Sequence, residues 1–240
     1  MKFISSGIKN FDKCLGGGYV NNSATLITGG PGTGKSILGL QFLYDGLKNK
    51  EKVLLISFEE NKDVIMEQSN NFGWEFEKYI KNDQLKIINF DMPSTHVVHV
   101  IESISKEVKT HNPKRIVLDS LSVLSLFAEV AAGLELAHLL NVNLDQLKLS
   151  QEVLTIGAVM GLLSKIKKYD NTSLIIAEIP QGKNNLSRDS FTEFICDGVI
   201  KLVKDENTGK RHLNIIKNRT ADHTLTPVSF SIDKKGIELK

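Results

Sequence analysis

The chain has 240 residues, 41% of them hydrophobic and 24% charged, with a formal net charge of +2. That balance supports a buried core without staples, excludes a largely disordered chain, and gives no strong field toward nucleic acid or an anionic membrane. Cys14 and Cys196 lack metal-type spacing and read as reduced thiols; no charged-then-apolar leader opens the chain and its apolar runs stop short of the ~18 residues a membrane span needs, so a cytoplasmic protein without membrane contact is expected.

No internal repeat, low-complexity segment or Pro/Ser-rich linker divides the chain, which predicts one domain over 1–240. SATLIT (23–28) is a short apolar strand running into GGPGTGKS, and SILGLQFLYDGL (36–47) has helical spacing, with Leu38, Phe42 and Leu43 on one face. KVLLISF (52–58) is a second, nearly all-apolar strand, of the kind buried on both faces in a parallel sheet. A helix over 61–72, a strand over 85–90, a helix over about 94–109 and the strand RIVLD (115–119) follow. A long helical region covers about 121–168, and SLIIAEI (173–179) is the next strand. Alternating strand and helix predicts an α/β fold, a mostly parallel central sheet flanked by helices. The tail differs: GVIKLV (198–203), RHLNIIKN (211–218) and VSFSI (228–232) leave no room for helices, and the NTG turn at 207–209 predicts a hairpin. The sheet is therefore expected to begin parallel and end in an antiparallel extension.

Gly29-Gly30-Pro31-Gly32-Thr33-Gly34-Lys35-Ser36 fits the P-loop pattern G-x-x-x-x-G-K-[ST]. Consecutive backbone N–H groups must point inward around phosphate oxygens, and glycines remove the side chains that would obstruct that wrap. The strand before it and the helix after it complete the anion site. Residues 30–36 are thus expected to bind a nucleoside triphosphate, with Lys35 bridging the β- and γ-phosphates and the Ser36 hydroxyl on Mg²⁺. Asp119 ends RIVLD in the Walker B manner and is expected to hold the metal through a water. Glu59-Glu60 follows KVLLISF, at the edge where parallel strands deliver their carboxyl ends. One of the two could orient and deprotonate an attacking water, although glutamates also favour a solvated helix N-terminus.

Six ordered segments carry a resemblance: SGIKNFDKCLGGG (6–18), LITGGPGTGKS (26–36), LLISFEE (54–60), RIVLDSLS (115–122), EFICDGVIKL (193–202) and IIKNRTADH (215–223). Together they resemble one KaiC-type domain of the RecA-like P-loop ATPases, nearly end to end. The resemblance implies ATP with Mg²⁺, a RecA-type fold, and a homo-oligomeric ring, expected to be a hexamer, with nucleotide shared between neighbouring subunits. It implies that Glu59 and Glu60 are the paired catalytic glutamates and that Lys217 and Arg219 are offered to the γ-phosphate of the adjacent subunit. By the same resemblance His223 contacts the nucleotide sugar and Glu178 is the polar sensor after the Walker B strand.

The chain departs from the family pattern in three places. Thr220 stands where the family usually has Gly after the Arg. The stretch of about 125–168 is longer than usual and reads either as an extra core helix or as a helical insertion that docks a partner. Glu193 and Phe194 occupy the places of the clock proteins' phosphorylated hydroxyls, so autophosphorylation is not expected. The leading expectation is a slow ring-forming ATPase with conformational output to a protein partner. The alternatives are a nucleotide-binding assembly regulator without significant hydrolysis, a small-molecule phosphotransferase, and a recombinase-like ATPase meeting DNA through 180–190. That last loop offers only Lys183 and Arg188 and no aromatic to stack on bases.

Overall fold

The computed structural model describes residues 2–90, 97–140, 148–179 and 185–240, with 131–140, 148–152 and 154 described by backbone alone. A two-residue ribbon, β1 (Phe3–Ile4) with β2 (Tyr19–Val20), and the single turn α1 (Phe11–Cys14) precede the main sheet. The apolar runs then become six parallel strands: β3 (Ala24–Gly29), β4 (Val53–Ser57), β5 (Leu85–Asn89), β6 (Arg115–Asp119), β7 (Thr172–Glu178) and β8 (Gly198–Lys204). The tail adds β9 (Arg211–Asn218), β10 (Val228–Asp233) and β11 (Gly236–Leu239), all antiparallel. The order across the sheet is β11-β10-β9-β8-β3-β7-β6-β4-β5.

The near-continuous hydrophobicity of the central strands follows from burial on both faces. Val53, Leu55 and Val117 face one core, shared with Leu38, Phe42 and Leu43 of α2 (Lys35–Lys48). Leu54, Ile56, Ile116 and Leu118 face the other. That second core is closed by α5 (Val97–His111), α6 (Leu121–Leu140) and α7 (Lys148–Lys167), whereas α3 (Lys62–Asn71) and α4 (Phe76–Lys81), between β4 and β5, give Ile65 and Phe76 to the first. Gly39 lets α2 lie close on the sheet: a Cβ there would sit 2.9 Å from Val117 Cγ1. Since α2 leaves β3 onto one face and α6 leaves β6 onto the other, a crevice opens above their carboxyl ends, where open α/β sheets bind ligands.

The long helical region of 121–168 holds the two helices α6 and α7. Leu121, Leu124, Val159, Leu162, Leu163 and Ile166 are core residues, whereas Leu126, Val130, Val153 and Met160 are exposed. The pair thus supplies core and, on another stripe, leaves apolar side chains uncovered. Six short elements have no counterpart in the sequence reading: β1, α1, β2, α4, α8 (Thr192–Ile195) and β11. The last carries only Ile237 and Leu239 toward the core, too few residues for a periodic signal. Among the described residues, no helix is long and apolar enough to cross a membrane.

Candidate functional site

Strand register levels four chain ends at one rim of the sheet. Gly29 of β3 lies opposite Glu178 of β7, and Ser57 of β4 lies opposite Asp119 of β6. The glycine-rich loop leaves that rim and enters α2 through Gly34, whose φ of 105° favours glycine and whose Cβ would meet Ile232 Cδ1 at 2.9 Å. Gly30 and Gly32 are different. A Cβ on either would have no protein atom within 4 Å, so packing does not demand their smallness and room is left for a ligand. Thr33 Oγ1 donates to the Gly30 carbonyl (2.9 Å) and steadies the loop.

The site residues converge on a cavity of about 510 Å³. Pro31, Gly32, Gly34, Lys35 and Ser36 form its floor, and Glu59, Glu60, Asp119 and Glu178 form its acidic side. Lys35, only 8% exposed, donates from Nζ to the carbonyls of Gly29 (3.0 Å) and Gly30 (2.9 Å), and its ammonium is 3.8 Å from Glu178. Burial pulls its pKa below the ordinary lysine range, against the pull of Glu178, Asp119 and Glu59. Asp119 is pushed up to about 7: burial dominates, the charges of Glu59 and Glu60 add to it, and a hydrogen bond from Ser36 together with Lys35 opposes it. The Asp119–Ser120 peptide is cis, and the Ser120 hydroxyl donates to Glu59 Oε1. Glu60 is fastened separately. Its N–H donates to Ser57 Oγ (3.1 Å), its carbonyl accepts from Ser57 Oγ (2.7 Å) and from Asn89, and its carboxylate accepts from Gln68 Nε2 (2.8 Å).

Four carboxylates thus face two cations, Lys35 and Arg211, in one cavity. Anionic phosphates enter such a site favourably only with a cation between them and the acids. Among the described residues no group of three or more His, Cys, Asp or Glu side chains forms a metal cage. The residues that could hold Mg²⁺ are Ser36, through its hydroxyl, and Asp119, through a water, which suits an ion reluctant to dehydrate.

Several residues of this cavity escape motif reading. Arg211, the first residue of β9, donates from Nη2 to the Gly32 carbonyl (3.4 Å). Gln68, Asn71 and Phe72 reach it from α3, and Ile232 from β10. For Arg211 a signal existed. Alternation along RHLNIIKN puts it on the side of Leu213 and Ile215, which pack on the α2 face of the sheet.

Lys217, Arg219 and His223 do not join the cavity of their own chain. Lys217 pairs with Val199, and Val199 pairs with Leu26, three residues back along β3 from Gly29. At about 3.3 Å per residue, Lys217 therefore lies toward the opposite rim, ~10 Å below the loop. There its Nζ donates to the carbonyls of Glu193 (2.8 Å) and Cys196 (2.7 Å), and Arg219 Nη2 donates to that of Phe194 (2.8 Å), closing the single turn α8 (Thr192–Ile195). Burial, then the charge of Arg219, pulls the Lys217 pKa down. The His223 segment is tied to the start of the chain, with Thr224 N–H donating to the Cys14 carbonyl (2.9 Å). Of the loop considered for DNA, Lys183 lies outside the described residues, and Arg188 faces Glu129 at 4.0 Å.

Sheet order, glycine loop and level strand ends define a RecA-like P-loop fold with a nucleotide-type cavity. The family model described as "ATPase: KaiC" matches residues 4–157 and 143–240, and the chain belongs to that family. A UPF0273 protein of Pyrobaculum aerophilum is 26% identical over 98% of this chain and 82% of its own length. A circadian clock oscillator protein KaiC of Prochlorococcus marinus is 35% identical over 99% of this chain but only 44% of its own, so this chain spans less than half of that clock protein. The crystal structure of a KaiC-like protein from the hyperthermophilic archaeon Pyrococcus horikoshii superposes with a TM-score of 0.80, at 28% identity, covering 100% of this chain and 99% of that one.

Proposed function

We propose that this protein, as a single domain over 1–240, binds ATP with Mg²⁺ in the cavity above β3 and β6 and hydrolyses it slowly within a ring of identical chains, six being the expected number. The observation that carries the reading is the convergence of Lys35, Ser36, Asp119 and the Glu59-Glu60 pair on one cavity. In this reading Lys35 exchanges its loop carbonyls for phosphate oxygens, and the loop N–H groups and the α2 N-terminus take the remaining charge. Ser36, and Asp119 through a water, would hold Mg²⁺, which would supply neutralisation of the phosphate charge. Glu59 and Glu60 orient a water and accept its proton, and Glu178 senses the γ-phosphate through Lys35.

Lys217 and Arg219 are too far from their own loop to serve it, which supports their delivery to a neighbour's nucleotide, with His223 on the same segment near the sugar. A cation supplied in trans is worth about 10³–10⁵ in rate. An output route is also available. Ser120, which holds Glu59, immediately precedes α6, and Ser122 at the start of α6 accepts from the Glu178 N–H (2.8 Å). A change at the phosphates would reach the α6–α7 pair, whose exposed apolar stripe suits a protein partner.

The test is ATP turnover against protein concentration, for the wild type and for Glu59→Gln with Glu60→Gln. Turnover per chain should rise with assembly and fall by about 10²–10⁴ in the double variant. A wild type that binds ATP and never turns it over, at any concentration, would sink the hydrolytic reading and leave a nucleotide-gated assembly factor.

A further inference from the structure

The paired glutamates are held by different parts of the fold. The Glu59 carboxylate is tied to Ser120, on the strand that carries the proposed metal ligand Asp119. The Glu60 main chain is clamped by Ser57 and Asn89, but among the described residues its carboxylate is hydrogen-bonded by one side chain, Gln68, two turns into α3. Gln68 lies at the edge of the α3 face that buries Ile65 and Ser69, and with Glu60 it lines the cavity.

The chemistry of this contact is specific. Glu60 shares the cavity with the like-charged Glu59 and Asp119, and its charge acts against that of Asp119, while the nearby Lys35 is engaged by two carbonyls and by Glu178. Something must hold Glu60 in place against its acidic neighbours. A lysine or arginine there would do so, but it would also neutralise a carboxylate meant to take a proton. A neutral amide donor fixes the position and leaves most of the basicity. The amide can face only one way. Gln68 Oε1 is buried with no hydrogen-bond partner, and turning the amide over would set that oxygen against the carboxylate instead. The orientation that leaves an acceptor unpaired, at a cost, is the one that serves Glu60.

We propose that Gln68 is the positioning residue of this site: it aims the Glu60 carboxylate at the attacking water. The inference rests on the hydrolytic reading above and assigns within it a task that no motif contains. The experiment is steady-state ATP turnover with Mg·ATP affinity for Gln68→Ala and Gln68→Glu, each alone and combined with Glu60→Gln or with Glu59→Gln. Gln68→Ala should lower kcat about 10–100-fold, as small misplacements of reacting groups do. KM and nucleotide affinity should stay within about twofold, since the hydrogen bond of Gln68 goes to Glu60 and not to the phosphate loop. Gln68→Glu, near-isosteric but repelling Glu60, should lower kcat at least as far with the melting temperature retained. The double-mutant cycle isolates the mechanism: Gln68→Ala should add nothing once Glu60 is Gln, and should still act when Glu59 is Gln. Equal losses in the presence and absence of the Glu60 carboxylate, or a rise in KM with kcat unchanged, would overturn the inference and leave the ATPase reading standing. A wild type without turnover would remove that reading and this inference with it.

Discussion

Asp119→Asn separates what this site does for stability from what it does for binding. The Asp119 carboxyl is raised from its ordinary 3.8 to about 7 by burial and by the charges of Glu59 and Glu60. A carboxyl raised on folding is bound to its proton more tightly in the folded chain than in the unfolded one. Its contribution to stability is therefore intact below about pH 4, declines as the pH climbs toward about 7, and is constant beyond. A shift of roughly three units at 1.36 kcal/mol each sets a ceiling of about 4 kcal/mol, and residual water access at this half-buried group reduces it to about 1–2 kcal/mol. Asparagine keeps an acceptor for the Ser36 hydroxyl and carries no charge. Without nucleotide and with chelator present, Asp119→Asn should melt above the wild type at pH 8 by about 2–8 °C, and by less at pH 5.5. The same variant should lose Mg²⁺-dependent nucleotide binding. Thermal melts at the two pH values together with titration calorimetry test both halves. A variant less stable than wild type at pH 8, or an advantage that does not grow between pH 5.5 and 8, would refute the account of crowded carboxylates.

Arg115, 1% exposed, is clamped by Glu51 (2.5 Å), Asp45 (3.2 Å) and the carbonyls of Ser5 and Phe42. Arg115→Met should cost about 3–5 kcal/mol by stranding those acids, and a denaturation midpoint within error of wild type would contradict it. If the site is shared, mixing Arg219→Ala chains with chains carrying Glu59→Gln and Glu60→Gln should restore about a quarter of wild-type turnover, since one neighbour pairing in four is then intact. No recovery on mixing would remove the trans assignment. Trp74, the one tryptophan, stacks on Phe72 at 4.7 Å, and Phe72 lines the cavity. Mg·ADP should therefore change its fluorescence saturably, and a flat titration at concentrations where calorimetry detects binding would break that link.

What could be read from the sequence depended on how locally each feature is encoded. The glycine loop is contiguous, and its strand and helix flank it directly, so the motif, the fold around it and the Lys35–Ser36 pair were all legible. Apolar runs without alternation marked strands covered on both faces, and Val53/Leu55 and Leu54/Ile56 indeed serve separate cores. Asp119 and Glu59-Glu60 were legible because each ends a recognisable strand, and parallel strands end at one rim. Gln68 was not, and Arg211 only in part: alternation gives its face of β9, but nothing near either residue in the chain says that α3 and β9 border the same cavity, which is a property of strand order. The 121–168 stretch resisted for another reason. Its low charge leaves α6 and α7 without a polar face to mark, and apolar residues all round a helix do not say which stripe is covered.

Strand β9 gives the clearest link between these levels. At about 3.4 Å per residue its eight residues run some ~24 Å from one rim of the sheet to the other. Arg211 at one end meets the phosphate loop of its own chain; Lys217, near the other end, and the adjoining Arg219 hold the carbonyls that close α8. In the proposed ring one strand therefore borders two nucleotides. The cations that would serve the neighbour's nucleotide must first release the Glu193, Phe194 and Cys196 carbonyls, which couples nucleotide occupancy in one copy to the order of α8 in the next. Such coupling is reciprocal by necessity: whatever holds α8 in its turn also weakens the grip of Lys217 and Arg219 on the adjacent site. Slow turnover, on this argument, is the expected behaviour of a site whose activating cations already have partners.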